Sequence, residues 1–178
     1  PTAQQAQGGA VSSDPTIRPF NAPGVQSPPL LTTSIDLQGN GRPDFIFCHG
    51  SYPPDPEVKR PCRVLRPQAD GSIVDVTRQL FGNAALPSMV QPREVGAGDF
   101  NGDGRTDIFI AAHGYDAPPW PGFRNQLFLS QGGQAKWVDA TSAIPSDSGF
   151  THSVTTGDVN ADGYADVKYS LGNTGGPR

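Results

Sequence analysis

Long apolar runs are missing from this 178-residue chain, and none approaches the roughly 18 residues that a transmembrane helix needs. Runs of strong helix formers are missing too, which argues against a helical bundle. Lysine and arginine number 13 and never cluster with interleaved aromatics, so nothing points to nucleic acid. No serine stands in a Gly-x-Ser-x-Gly setting and no nucleophilic-cysteine signature occurs, so no catalytic set is visible. Cysteine itself is scarce, with Cys48 and Cys62 alone. The chain starts at Pro1 without an initiator Met or a signal peptide, as a processed secretory protein or a fragment would.

What is abundant is turn-forming residues. Nineteen prolines and 22 glycines exceed average usage and favour short strands joined by many turns, an all-β fold. The hydrophobic fraction of 35% suits an all-β repeat with long loops.

The most informative stretch is Asp99-Phe100-Asn101-Gly102-Asp103-Gly104-Arg105-Thr106-Asp107, which runs into Ile108-Phe109-Ile110-Ala111. Oxygen-bearing side chains fall at positions 1, 3, 5 and 9, with glycine at 6. Carboxylates this close repel; one pair at about 4 Å costs roughly 4 kcal/mol at an effective dielectric near 20. A hard divalent cation converts that repulsion into binding, because Ca²⁺ takes six to eight oxygens. The predicted ligands are Asp99, Asn101, Asp103, Asp107 and the carbonyl of Arg105, brought round by the sharp turn at Gly104. The pattern recurs at Asp158, Asn160, Asp162, Tyr164 and Asp166 with every oxygen kept. A third copy, at Asp36, Gln38, Asn40, Arg42 and Asp44, has amides at positions 3 and 5, which makes it the weaker cation site. An EF-hand is excluded: position 12 must be a bidentate Glu, and here it is Ile110 or Tyr169. The three loops hold eight of the 17 acidic residues. Three bound Ca²⁺ would turn the formal charge of −4 positive, so the charge says nothing about partners.

The loops start at Asp36, Asp99 and Asp158, 63 and 59 residues apart. Each unit has the same parts. Leu30–Ile35, Phe45–Cys48, Cys62–Arg66 and Ser72–Thr77 are the strands of the first, with a turn at Ala69-Asp70-Gly71. Glu94–Gly98, Ile108–Ala112, Asn125–Ser130 and Lys136–Thr141 are those of the second. Ser153–Gly157 and Val167–Leu171 begin a third. Val74-Asp75-Val76-Thr77 and Val138-Asp139-Ala140-Thr141 mark equivalent fourth strands. A period near 60 with four antiparallel strands is that of a β-propeller blade with generous loops. The expected organisation is an extended arm or linker over residues 1–29, blade one over 30–78, blade two over 92–142 and part of blade three over 152–178. A strand near Thr16–Phe20 is the alternative for the arm.

From Gly98 to Ile108 the sequence Gly-Asp-Phe-Asn-Gly-Asp-Gly-Arg-Thr-Asp-Ile resembles the FG-GAP/VCBS repeat of integrin α-subunit-like β-propellers, and the resemblance covers roughly residues 30–178. It implies a seven-bladed fold with one cation in the loop between the first two strands of many blades. Seven such blades need about 420 residues. Two and a half blades therefore imply a longer polypeptide or a ring completed by another subunit, with Val167–Leu171 as a bare edge.

Cys48 and Cys62 flank a Pro-rich excursion; if their strands pair antiparallel around it, they form a disulfide, and otherwise two separate buried thiols. Arg93 and His152 occupy equivalent places at the start of an inner strand, where they could contact an anionic ligand. Tyr115, Trp120 and Phe123 lie in a Pro-rich loop and either stack on a sugar or partner surface or cover their own blade. Trp137 is expected in the core between blades. The leading expectation is a secreted, cell-surface or periplasmic calcium-stabilised module for protein binding or assembly, not itself an enzyme. Its partners would be other chains or the rest of the propeller. A glycan-binding lectin, a scaffold part of a larger secreted enzyme and a structural subunit of a surface assembly are the rivals.

Overall fold

The computed structural model of the chain describes residues 31–49, 59–82, 87–115, 117–132 and 137–172. The arm and the strand considered near Thr16–Phe20 lie outside the described residues, as does most of the Pro-rich excursion. The described chain is all-β and antiparallel, with very little helix.

The first sheet contains β1 (Leu31–Ile35), β2 (Asp44–Cys48), β3 (Arg60–Pro67) and β4 (Ile73–Asp75) in that spatial order. Two features were not anticipated. A five-residue helix, α1 (Thr77–Phe81), follows β4, and β5 (Ser88–Met89) adds a fifth strand along β3. The second sheet is β6 (Pro92–Gly98), β7 (Asp107–Ala112), β8 (Gln126–Leu129) and β9 (Val138–Asp139), followed by a 3-10 turn at Thr141–Ala143. In the third, β10 (Phe150–Gly157) pairs with β11 (Asp166–Gly172).

The repeated Val-Asp-x-Thr phrase explains why the fourth strands are shorter than expected. Asp75 Oδ1 accepts the Thr77 N–H, and Asp139 Oδ1 accepts the Thr141 N–H, so each Asp bends the chain away from the ladder. Each Thr hydroxyl oxygen then accepts a β3 or β8 amide, from Val64 at 2.8 Å and Leu127 at 3.1 Å. These aspartates terminate strands.

Alternation along β7 sets the stacking. Ile108, Ile110 and Ala112 pack toward the first sheet, with Ile46, Cys48, Val64, Phe81 and Trp137 in one core. Phe109 and Ala111 point the other way, into a core with Val154, Val167 and Tyr169 of the third sheet. The five apolar β7 residues, Ile108 to Ala112, are all buried for this reason. Trp137 meets Phe81 edge-on at 5.6 Å, which places it between the first two sheets.

The first strands of the second and third sheets touch closely. The Thr156 hydroxyl donates to the Ala97 carbonyl at 2.6 Å, and Glu94 accepts the Val154 N–H at 2.8 Å. Gly96 permits this approach, since a Cβ there would lie 2.7 Å from Thr156 Cγ2. No helix among the described residues is long and apolar enough to cross a membrane.

Candidate cation-binding loops

The three nine-residue loops join the first and second strands of their sheets and wind alike. At position 1, Asp36, Asp99 and Asp158 each receive the backbone N–H groups of positions 5 and 6. The glycine donors are closest, Gly41 at 2.6 Å, Gly104 at 2.7 Å and Gly163 at 2.9 Å. At position 5, Asn40, Asp103 and Asp162 accept the N–H of position 7. The expected glycine at 6 has φ of 79°, 78° and 90° in the three copies. Position 4 is left-handed as well, at Gly39, Gly102 and Ala161, a requirement the sequence reading missed.

The electrostatics follow from these bonds. The Gly41 N–H holds the Asp36 carboxyl below its usual value against a smaller opposing effect of burial. Burial opposes ionisation of Asp99, but the N–H groups of Gly104, Asp103, Gly102 and Asn101 together outweigh it and lower its pKa. Asp107 differs. Burial pushes its carboxyl up, the Asp103 and Asp99 charges add to that, and the Ser130 and Phe100 N–H groups offset only part.

Among the described residues no three His, Cys, Asp or Glu side chains gather as a metal cage. The hydrogen bonds account for this. Position-1 carboxylates turn onto their own backbone, position 3 is an amide, and the Asn101 and Asn160 Nδ2 groups donate to Asp103 and Asp162 at 2.9 Å. Arg105 also reaches Asp103. The donor set nevertheless fits a hard cation in loops two and three, with carboxylates at 1, 5 and 9 and a carboxamide oxygen at 3. The two loops are neighbours: the Ala165 N–H donates to the Asp99 carbonyl at 2.8 Å, and the Tyr164 ring lies against Gly102.

Loop one is built differently at position 9. Asp44 forms a two-pronged ion pair with Arg66, with Nε to Oδ1 at 2.7 Å and Nη2 to Oδ2 at 2.9 Å. Arg66 was not singled out from sequence. Strand register was the available signal: a Cys48–Cys62 pair sets Asp44 opposite Arg66.

That cysteine pair is a disulfide, with its members opposite each other on β2 and β3. Arg93 and His152 are the exposed extra residues at matching irregularities, where pairing shifts between Pro92 and Glu94 and between Thr151 and Ser153. Arg93 reaches the Gln91 side chain, and the His152 ring meets buried His113 at 4.7 Å. Of the loop aromatics, Trp120 and Phe123 pack on the protein's own sheets, and Tyr115 pairs through its backbone within the loop. Tyr115 bridges to Gly122, Trp120 packs edge-on against Phe150, and half-buried Phe123 joins the first core with Lys59 Nζ above its ring.

A family model described as FG-GAP-like repeat matches residues 36–110 and again residues 99–167. Neither the curated proteins nor the solved structures compared with the chain contain a match. With two overlapping copies of the repeat, from the Asp36 loop into β11, the chain belongs to the FG-GAP-like repeat family.

Proposed function

We propose that the chain is an extracellular calcium-binding β-propeller module that mediates protein–protein binding or assembly, without catalysis of its own. The observation that carries this reading is the common winding of the loops at equivalent strand junctions, two of them bearing an Asp-x-Asn-x-Asp-Gly-x-x-Asp set. The ligands would be Asp99, Asn101, Asp103, Asp107 and the Arg105 carbonyl in loop two, and Asp158, Asn160, Asp162, Asp166 and the Tyr164 carbonyl in loop three. A bound ion would draw together carboxylates that otherwise repel, and would fix the first two strands of each sheet. The Cys48–Cys62 disulfide supports an oxidising, extracellular setting. The outer edge of β11, which pairs only with β10 among the described residues, is where a further strand of the same protein or of a partner would add.

Calcium dependence is tested by melting the full chain in chelator, with metal content measured, and again in millimolar calcium. Free Ca²⁺ at about a hundred times its dissociation constant should stabilise by about 2.7 kcal/mol per site. An identical melt in both buffers would overturn the calcium reading.

A further inference from the structure

Asp44 and Asp107 hold the same ninth position in their loops, yet strand register sets different residues opposite them. Phe45 pairs with Leu65, which aligns Asp44 with Arg66; Ile108 pairs with Phe128, which aligns Asp107 with Leu129. Asp44 is 1% exposed and the Arg66 side chain 15%, so the pair is largely withdrawn from water. The guanidinium meets both carboxylate oxygens, the geometry in which arginine recognises a carboxylate best. A divalent ion at Asp44 would have to displace that cation or sit against it.

The rest of loop one is equally unsuited to a resident ion. Positions 3 and 5 are the neutral amides Gln38 and Asn40, so with Asp44 paired to Arg66 the loop has one carboxylate left, Asp36, where loops two and three each carry three. We propose that loop one takes no divalent cation, and that the Arg66 guanidinium does at Asp44 what a bound ion does in loops two and three. One repeat is then held by an internal cation and stays set when calcium is withdrawn, a permanent platform on which the calcium-dependent repeats stack. The contrast rests on the calcium reading of loops two and three; the Asp44–Arg66 assignment does not.

A double-mutant cycle on the full chain tests it, with Asp44→Asn, Arg66→Gln and their combination unfolded by urea in chelator and in millimolar calcium. Removing one member of a buried ion pair strands the other, so each single change should lower the folding constant by about a hundredfold or more, equally in both buffers. The combined change should cost less than the product of the two. An Asp44→Asn penalty that appears only with calcium would make Asp44 a calcium ligand and overturn the proposal, as would an Arg66→Gln variant of unchanged stability. Exposed Gln38 gives a variant that keeps the fold: in calorimetric calcium titrations, Gln38→Ala should leave stoichiometry and affinity unchanged, and a lost site overturns the proposal. Asp103→Asn and Asp162→Asn in the same titrations report on loops two and three alone. Their failure to respond sinks the calcium reading and leaves the Asp44–Arg66 cycle standing.

Discussion

The ring of Phe109 on β7 stacks on Tyr169 of β11, with centroids 5.5 Å apart and planes 24° from parallel. Phe109 has an equivalent in the next repeat, Lys168, which is exposed, as are its neighbours Ser153, Thr155 and Ser170. The face that sheet two offers sheet three is apolar, whereas the corresponding face of sheet three is polar, with Ser153 and Ser170 hydroxyls 2.9 Å apart. Phe109→Ala should therefore cost about 3–5 kcal/mol in urea unfolding. Lys168→Ala should stay within about 0.5 kcal/mol. A comparable loss at Lys168 would reveal a partner packed on that face.

Much of this was legible because local pattern and tertiary role agree. The loops announce themselves through Asp, Asn and Gly at fixed offsets, and Ile108–Ala112 is apolar on both faces because sheets cover both. Helix α1 was hidden: Thr77–Phe81 is too short to show a helical period, and it forms because Phe81 is buried against Phe128 and Trp137. The Asp44–Arg66 pair is a long-range contact that becomes visible only once strand register is fixed. The polar face of sheet three was encoded in Lys168 and Ser170, but their meaning needs the alignment with Phe109 and Ala111.

Gly96 separates a packing requirement from a turn requirement. Its replacement by Ala would push a Cβ to 2.7 Å from Thr156 Cγ2 and 3.2 Å from Val154 Cγ2. Overpacking of this kind costs typically about 1–3 kcal/mol. Thr156→Ser deletes the clashing methyl but keeps the hydroxyl that donates to Ala97. Adding it to Gly96→Ala should recover part of the loss in thermal melts. A double variant no better than Gly96→Ala alone would place the strain elsewhere.

The disulfide closes a loop of sequence separation 14. For a loop near this length the chain-entropy model gives about 3 kcal/mol, by restricting the unfolded chain. Both cysteines are buried in the first core, so Cys48→Ala with Cys62→Ala also loses packing. The double variant should unfold at clearly lower urea, with a loss of about 2–5 kcal/mol. Free-thiol titration of the unfolded, unreduced native chain should find no reactive sulfhydryl, and two would refute the bridge.

The β3–β4 turn offers a pH test away from the loops. The Ser72 hydroxyl, and then the Ser72 N–H, donate to Asp70 Oδ1 and hold its carboxyl below the ordinary value. A carboxyl whose folded pKa is depressed stabilises fully above its unfolded pKa, and that contribution is lost as pH falls through the folded value. The stability difference between the native chain and Asp70→Asn should thus be constant near neutrality and shrink on acidification below the unfolded value, about 3.9. Ser72→Ala removes the larger of the two bonds, so an NMR titration should show the Asp70 carboxyl moving up toward its ordinary value. A difference that grows on acidification, or an Asp70 titration unmoved by Ser72→Ala, would assign the depression to another group.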